Sequence, residues 1–224
     1  YILILLTVIL SLLGWNPSPK QSTPAKPQTQ STQQKAPTTV STINDPNNIL
    51  VVVNKNRPLP NGYAPSDLSG NVRSEAKKHL DELVVGAKSS NINFKIISAY
   101  RSQSAQASIY NGYVKRDGQA TADTYSARPR YSEHQTGLAI DLGNSDGVCD
   151  LEICFGDTPA GLWIKNNAHN YGFIVRYPSG KTSITGYQYE PWHLRYVGID
   201  VAKSIHSSTS TLEEYSNLPP APSY

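Results

Sequence analysis

The chain has 224 residues and a net charge of +3. That length suits one domain with extensions, large enough to bury a core without staples. The charge is small and forms no Lys/Arg run with interleaved aromatics, so a nucleic-acid partner is not expected. The chain contains no Met, so its start is expected to be truncated. It opens YILILLTVILSLLGW, an uncharged apolar run that is short for a full membrane span. Residues 1–15 therefore read as the apolar core of a signal peptide or as an N-terminal anchor. No Cys follows the run, so nothing supports a lipoprotein anchor. Residues 16–47 are dominated by Pro, Gln, Ser and Thr. Such a segment cannot bury enough surface to offset its ordering entropy, and it reads as a disordered linker. The folded domain is expected over 48–217, followed by a tail at 218–224.

Within the domain, ILVVVNKNRPLP reads as a strand ended by prolines. The segment from Ser66 to Ser90 has helical spacing at Val72, Ala76, Leu80, Leu83 and Val84. Ile92, Phe94 and Ile96 alternate with polar residues, the pattern of a half-buried strand. A second helix is expected from about Ser104, stopped by Gly118. GLAIDLGN reads as a short strand, and PAGLWIKNNAHNYGF as a helix ending at Gly172. FIVRYP and the run from Tyr189 to Tyr196 read as a final strand pair joined by a turn at Ser179-Gly180. A helical tail follows Gly198, and Thr211 with Glu214 has the spacing of a capping box. Strands and helices without regular βαβ alternation predict an α+β fold. Cys149 and Cys154, in CDLEIC, are close enough to close a small disulfide loop, which is favoured over free thiols or a zinc site.

Three segments carry chemistry. In SEHQTGLAIDLG, strand alternation puts Ala139 and Asp141 on the face opposite Leu138 and Ile140. A carboxylate in an apolar strand is costly unless paired or metal-bound. Gly137 would let the chain turn and bring His134 beside Asp141. In YEPWHLRYVG, Glu190 and His193 stand three apart among aromatics, so one can bind a metal while the other serves the water. Two histidines and a carboxylate suit a catalytic zinc, which keeps one position open. Glu190 then remains as general base. In ISAYRSQSAQ, Arg101 sits where a strand meets a helix and can grip a carbonyl or carboxylate in a two-pronged way. Gln106, one turn into that helix, could reach substrate. The plainer alternatives are core histidines, a strand-end cap at Asp141, a Glu190–Arg195 pair and a surface ion pair at Arg101. His79, His169 and His206 lie on helical stretches without acidic partners and read as structural.

These segments resemble the motifs of the zinc D-alanyl-D-alanine carboxypeptidases. SEHQTGLAIDLG is similar to their Ser-x-His-x-x-Gly-x-Ala-x-Asp signature, YEPWHLRYVG to their Glu-x-x-His signature, and SAYRS to their strand-end Arg motif. The group includes VanY-type vancomycin-resistance enzymes and L,D-carboxypeptidases of cell-wall recycling. The resemblance covers roughly residues 49–217. It implies one zinc ion held by His134, Asp141 and His193, with Glu190 as base and Arg101 stabilising the oxyanion or orienting the carbonyl. Ser132 and Gln106 would hold the substrate's terminal carboxylate or nearby polar groups, with Tyr131 and Trp192 also on the substrate. It implies a small central antiparallel sheet flanked by helices, as in the Hedgehog signalling domain. The partners implied are peptidoglycan stem peptides, met by a monomer in the bacterial envelope that touches membrane only through its N-terminal segment.

One departure stands out. Relatives commonly carry Pro-Gly just before Ser-x-His, whereas here the stretch is ARPRYSEH, with Arg130 in the Gly position. Arg130 and Arg128 read as solvated loop residues, with an added substrate-carboxylate contact as the sharper alternative. The activity implied is removal of a terminal D-alanine. The alternatives are L,D-carboxypeptidase action on the tetrapeptide, cross-link endopeptidase action, and a catalytically silent zinc-containing wall-binding module.

Overall fold

A computed structural model of the chain describes residues 40–224. The expected leader and most of the linker lie outside the described residues. The linker's last stretch does not: Val40–Asn44 form a short helix, α1, and Ile43 is buried. Ile43 packs in an apolar cluster, and its carbonyl accepts from the Val52 amide at 3.0 Å, which ties this stretch to the fold.

The run at residues 49–53 was expected to be a strand, and here the structure differs. Ile49 and Leu50 lie in a turn, 51–53 join no sheet, and only an isolated bridge, Asn54↔Arg57, follows. The carbonyls of Ile49 and Val51 accept hydrogen bonds from Arg195 Nη2 at 2.8 and 2.7 Å. A guanidinium thus satisfies backbone groups that a neighbouring strand would otherwise pair. Val51 and Val53 still enter the main core, and Val52 a second one.

A small hairpin follows, β1 (Leu68–Ser69) and β2 (Val72–Arg73). Helix α2 (Ser74–Ser89) buries Ala76, Leu80, Leu83 and Ala87. The expected Val84 lies outside that stripe and is 38% exposed. Strand β3 (Phe94–Ser98) leads into α3 (Gln103–Asp117), capped by Ser102 Oγ accepting from the Ala105 amide. Gly118 ends α3 as expected, and α4 (Gln119–Tyr125), which was not expected, follows directly. After a 3-10 turn at Glu133–Thr136 comes β4 (Ala139–Asn144). Cys149 and Cys154 are joined as a disulfide. Helix α5 (Pro159–Asn167) runs into a 3-10 turn that ends at Gly172, in the left-handed region at φ 81°. Then come β5 (Phe173–Tyr177), α6 (Thr182–Thr185), β6 (Glu190–Tyr196), α7 (Ile199–Ser208) and α8 (Leu212–Tyr215). The connection of β5 to β6 therefore holds a helical turn besides the Ser179-Gly180 turn. Thr211 and Glu214 form the reciprocal capping box of α8.

The sheet order is β3-β4-β6-β5, with every neighbouring pair antiparallel. This is the expected α+β class with a small antiparallel sheet. Along β6, Trp192, Leu194 and Tyr196 join the main core with Leu138, Ile140 and Leu142. The alternate positions His193 and Arg195 stand opposite Asp141 and Ala139. A second apolar cluster, including Ile43, Ile174, Val197 and Leu212, packs the α7–α8 side. The expected tail is also part of the fold: Ala221 is buried, and the Tyr224 hydroxyl accepts from the Arg128 amide at 2.8 Å. Among the described residues, no helix is long and apolar enough to cross a membrane.

Candidate active site

Strand pairing does most of the assembly. Asp141 and His193 are direct partners on β4 and β6, so their side chains share a face and a position. His134 arrives from the 3-10 turn that precedes β4. The turn closes at Gly137, which takes the left-handed region at φ 68° as the C-cap. A Cβ there would meet Leu68 Cδ2 at 2.8 Å, so both conformation and space favour glycine.

His134 Nε2 lies 3.1 Å from Asp141 Oδ2, and His193 Nδ1 lies 3.1 Å from Asp141 Oδ1. The three donor atoms lie within 4.8 Å of one another, and all three residues are buried. Asp141 Oδ1 has no hydrogen-bond partner. His134 Nδ1 faces the Ala99 carbonyl at 2.8 Å, which leaves Nε2 as the coordinating atom. Two imidazole nitrogens, a carboxylate and an orphaned acceptor fit a divalent cation of zinc's preferences.

The electrostatics agree. Burial disfavours the Asp141 anion, but His134 and His193 overcome it and hold the carboxyl far below its ordinary value. Burial keeps His134 below its usual range despite Asp141. For His193, burial opposes the charged form, yet Asp141 and Glu133 outweigh it and push the pKa up to about 9. The cluster thus attracts positive charge. Glu190 Oε2 lies 3.8 Å from His193 Nδ1. Burial, helped by Asp141 and Glu133, pushes the Glu190 carboxyl up to about 8 against the pull of His193.

Arg101 follows an irregularity in β3 between Ile96 and Ser98. Its Nη2 donates to Ser98 Oγ at 2.7 Å and lies 4.0 Å from Asp141 Oδ2. Its Nη1 donates to Gln106 Oε1 at 2.7 Å. Gln106 is buried, and its amide also donates to the Ala127 carbonyl at 2.7 Å. Gln106 lines the cleft, and with both ends of its amide engaged it also orients Arg101. A cleft of about 500 Å³ is lined by Arg101, Ser132, Glu190, Trp192 and the ligand triad. Tyr131 is absent from that lining and packs edge-on against Tyr224 at 5.0 Å.

Arg128 and Arg130 do not line the cleft either. Arg128 pairs with Asp123 at 2.7 Å, and Arg130 Nε donates to the Leu59 carbonyl at 2.8 Å. Arg130 adopts φ 78°, the region the Gly of relatives would take without strain. His79 has an acidic partner after all, Glu82 at 3.0 Å, while His169 and His206 stack on each other at 3.7 Å.

Several residues of the site escaped the sequence reading. Tyr177 and Tyr187 line the cleft, and Glu133 approaches the far side of His193. Glu133 sits inside the Ser-x-His motif, so its position was visible while its role was not. The alternative pair Glu190–Arg195 does not form: Arg195 binds Glu133 at 2.7 Å.

Residues 69–199 match the family model VanY, D-alanyl-D-alanine carboxypeptidase. This chain belongs to the VanY family. It is a peptidase, and the family match spans His134, Asp141 and His193. YodJ of Bacillus subtilis is 42% identical over 190 residues, covering 79% of this chain and 70% of YodJ. Among solved structures, the LdcB LD-carboxypeptidase is 41% identical with a TM-score of 0.72, covering 77% of this chain and 87% of that one. A D,D-pentapeptidase VanY of a VanB-type resistance cassette, solved with Zn(II), is 33% identical with a TM-score of 0.65, covering 74% and 97%.

Proposed function

We propose that the chain is a zinc-dependent carboxypeptidase that removes a terminal D-alanine from peptidoglycan stem peptides. On this reading it works as a monomer outside the cytoplasm, with a single zinc ion held by His134 Nε2, His193 Nδ1 and an Asp141 oxygen. The observation that carries the reading is the convergence of these donors beside the buried Glu190 carboxyl. Zinc in such a site supplies Lewis acidity and makes water acidic enough to react near neutral pH.

The chain's own residues do the rest. Glu190, buried beside His193, takes a proton from the attacking water and returns it to the leaving amine of the D-amino acid. Arg101, held by Ser98 and Gln106, offers fixed positive charge toward the oxygen that becomes anionic in the transition state. Ser132 and Trp192, on the cleft wall, bind the end of the substrate.

A second reading is L,D-carboxypeptidase action on the tetrapeptide. It is favoured by the greater likeness to LdcB, 41% identity against 33% for the VanY structure. Zinc-loaded protein incubated with penta- and tetrapeptide stems, with products identified by mass, separates the two. D-alanine released from the pentapeptide supports the first reading, and from the tetrapeptide alone the second. Both releases should stop with a chelator. Release from neither stem overturns the exopeptidase reading.

A further inference from the structure

The two ligand histidines are anchored differently. His134 is fixed by a backbone carbonyl, that of Ala99. His193 has no such carbonyl. Its Nδ1 faces Asp141 and Glu190, and its Nε2 lies 3.5 Å from Glu133 Oε2. Neither His193 Nε2 nor Glu133 Oε2 has any hydrogen-bond partner. The two orphaned atoms stand at the outer limit of hydrogen-bond distance from each other.

Glu133 is built for this place. Its side chain is fully buried, and its other oxygen, Oε1, accepts from Arg176 Nε at 2.8 Å and Arg195 Nη1 at 2.7 Å. Both guanidiniums engage that one oxygen, so Oε2 is left over. Arg176 is held in turn by Glu213, through two bonds of 2.8 and 2.6 Å. A carboxylate needed only to neutralise two arginines would have no reason to turn its second oxygen toward a ligand imidazole.

We propose that Glu133 is a positioning residue for the metal site. It accepts the Nε2–H of His193, holds the ring in one tautomer, and keeps the Nδ1 lone pair aimed at the cation. Its negative charge also makes that nitrogen a better donor, while Arg176 and Arg195 offset the cost of burying it. The proposal rests on the reading of His193 as a ligand, and its test separates the two.

Zinc affinity is measured by chelator competition on the full chain, beside thermal unfolding of the metal-free protein. His193→Ala should lose tight binding; if it does not, the ligand reading itself fails. Glu133→Gln should bind zinc about 10- to 100-fold more weakly. Glu213→Gln cuts the arginine network on the side away from His193. It should lower the metal-free melting temperature and leave zinc affinity within about two-fold of wild type. The proposal is overturned if Glu133→Gln keeps wild-type affinity, or if Glu213→Gln weakens zinc as much as Glu133→Gln does. Should Glu133→Gln fail to fold, nitrogen-15 histidine spectra of zinc-loaded wild type decide. His193 protonated at Nε2, with that proton shielded from solvent exchange, supports the proposal. Protonation at Nδ1, or free exchange at Nε2, overturns it.

Discussion

The ring of His193 separates two clusters of buried charge that are satisfied in opposite ways. Behind it, two carboxylates, Glu133 and Glu213, meet two guanidiniums, Arg176 and Arg195, at 2.6–2.8 Å. In front of it, Asp141 and Glu190 face two imidazoles, and the nearest permanent cation, Arg101, is 4.0 Å from Asp141. Depth is the same and balance is not. A matched buried cluster gives the domain a frame whose net worth is small but whose breakage is expensive. The front cluster has no permanent cation in contact and balances only through protons held on His193 and Glu190, which a metal ion can replace. Function here is written in the imbalance.

Each cluster can be broken separately. The largest expected effect is in front: Glu190→Gln should cut turnover by about 10²–10⁴-fold while zinc affinity stays close to wild type. Release of D-alanine from the better stem peptide measures it, and activity within a few-fold of wild type would remove Glu190 from the reaction. Next comes the rear frame. Arg176→Gln leaves Glu133 and Glu213 without a shared cation and should cost about 3–5 kcal/mol of stability, read by urea unfolding of the metal-free protein. A loss no larger than that of an exposed ion pair would mean the cluster is not the frame described.

The most gradual effect concerns protons. In the metal-free fold the Glu190 carboxyl titrates at about 8, above the ordinary 4.5. The folded state therefore holds a proton that the unfolded chain has already lost. Stability should fall as pH rises through this window, by at most about 1.4 kcal/mol per pH unit for this group. His193, raised to about 9, adds to the same fall above its ordinary 6.5. Metal-free Glu190→Gln should flatten the decline, most clearly between pH 5 and 6.5, where His193 contributes least. Superimposable pH profiles for the two proteins would contradict the burial of Glu190.

Much of the front cluster was legible in the sequence because its chemistry is compressed into short segments. A carboxylate in GLAIDL demands an explanation, and a glycine before it supplies the turn. The rear cluster was not legible. Glu133, Arg176, Arg195 and Glu213 are spread over 80 residues of chain, and each reads singly as a solvated charge. Only strand register and helix packing bring them together. The valine run at 51–53 failed for a related reason. Its β-propensity was real, but Arg195 from β6 holds the Val51 carbonyl and Arg57 the Val52 carbonyl, where a neighbouring strand would otherwise pair. Gln106 was legible as a residue near the site, but spacing on a helix does not reveal that its amide also holds a neighbour, Arg101.

The pairing of Asp141 with His193 has a consequence for how the protein matures. Two of the three donors are cross-strand neighbours whose strands lie some fifty residues apart in the chain. Until β6 docks on β4 in that one register, no cation can be chelated by all three, and a slip by a single residue would turn His193 to the opposite face. On the proposed ligand set, tight metal binding requires β6 docked on β4 in this register. A chain that binds its ion tightly has, by doing so, certified that its last strand is home.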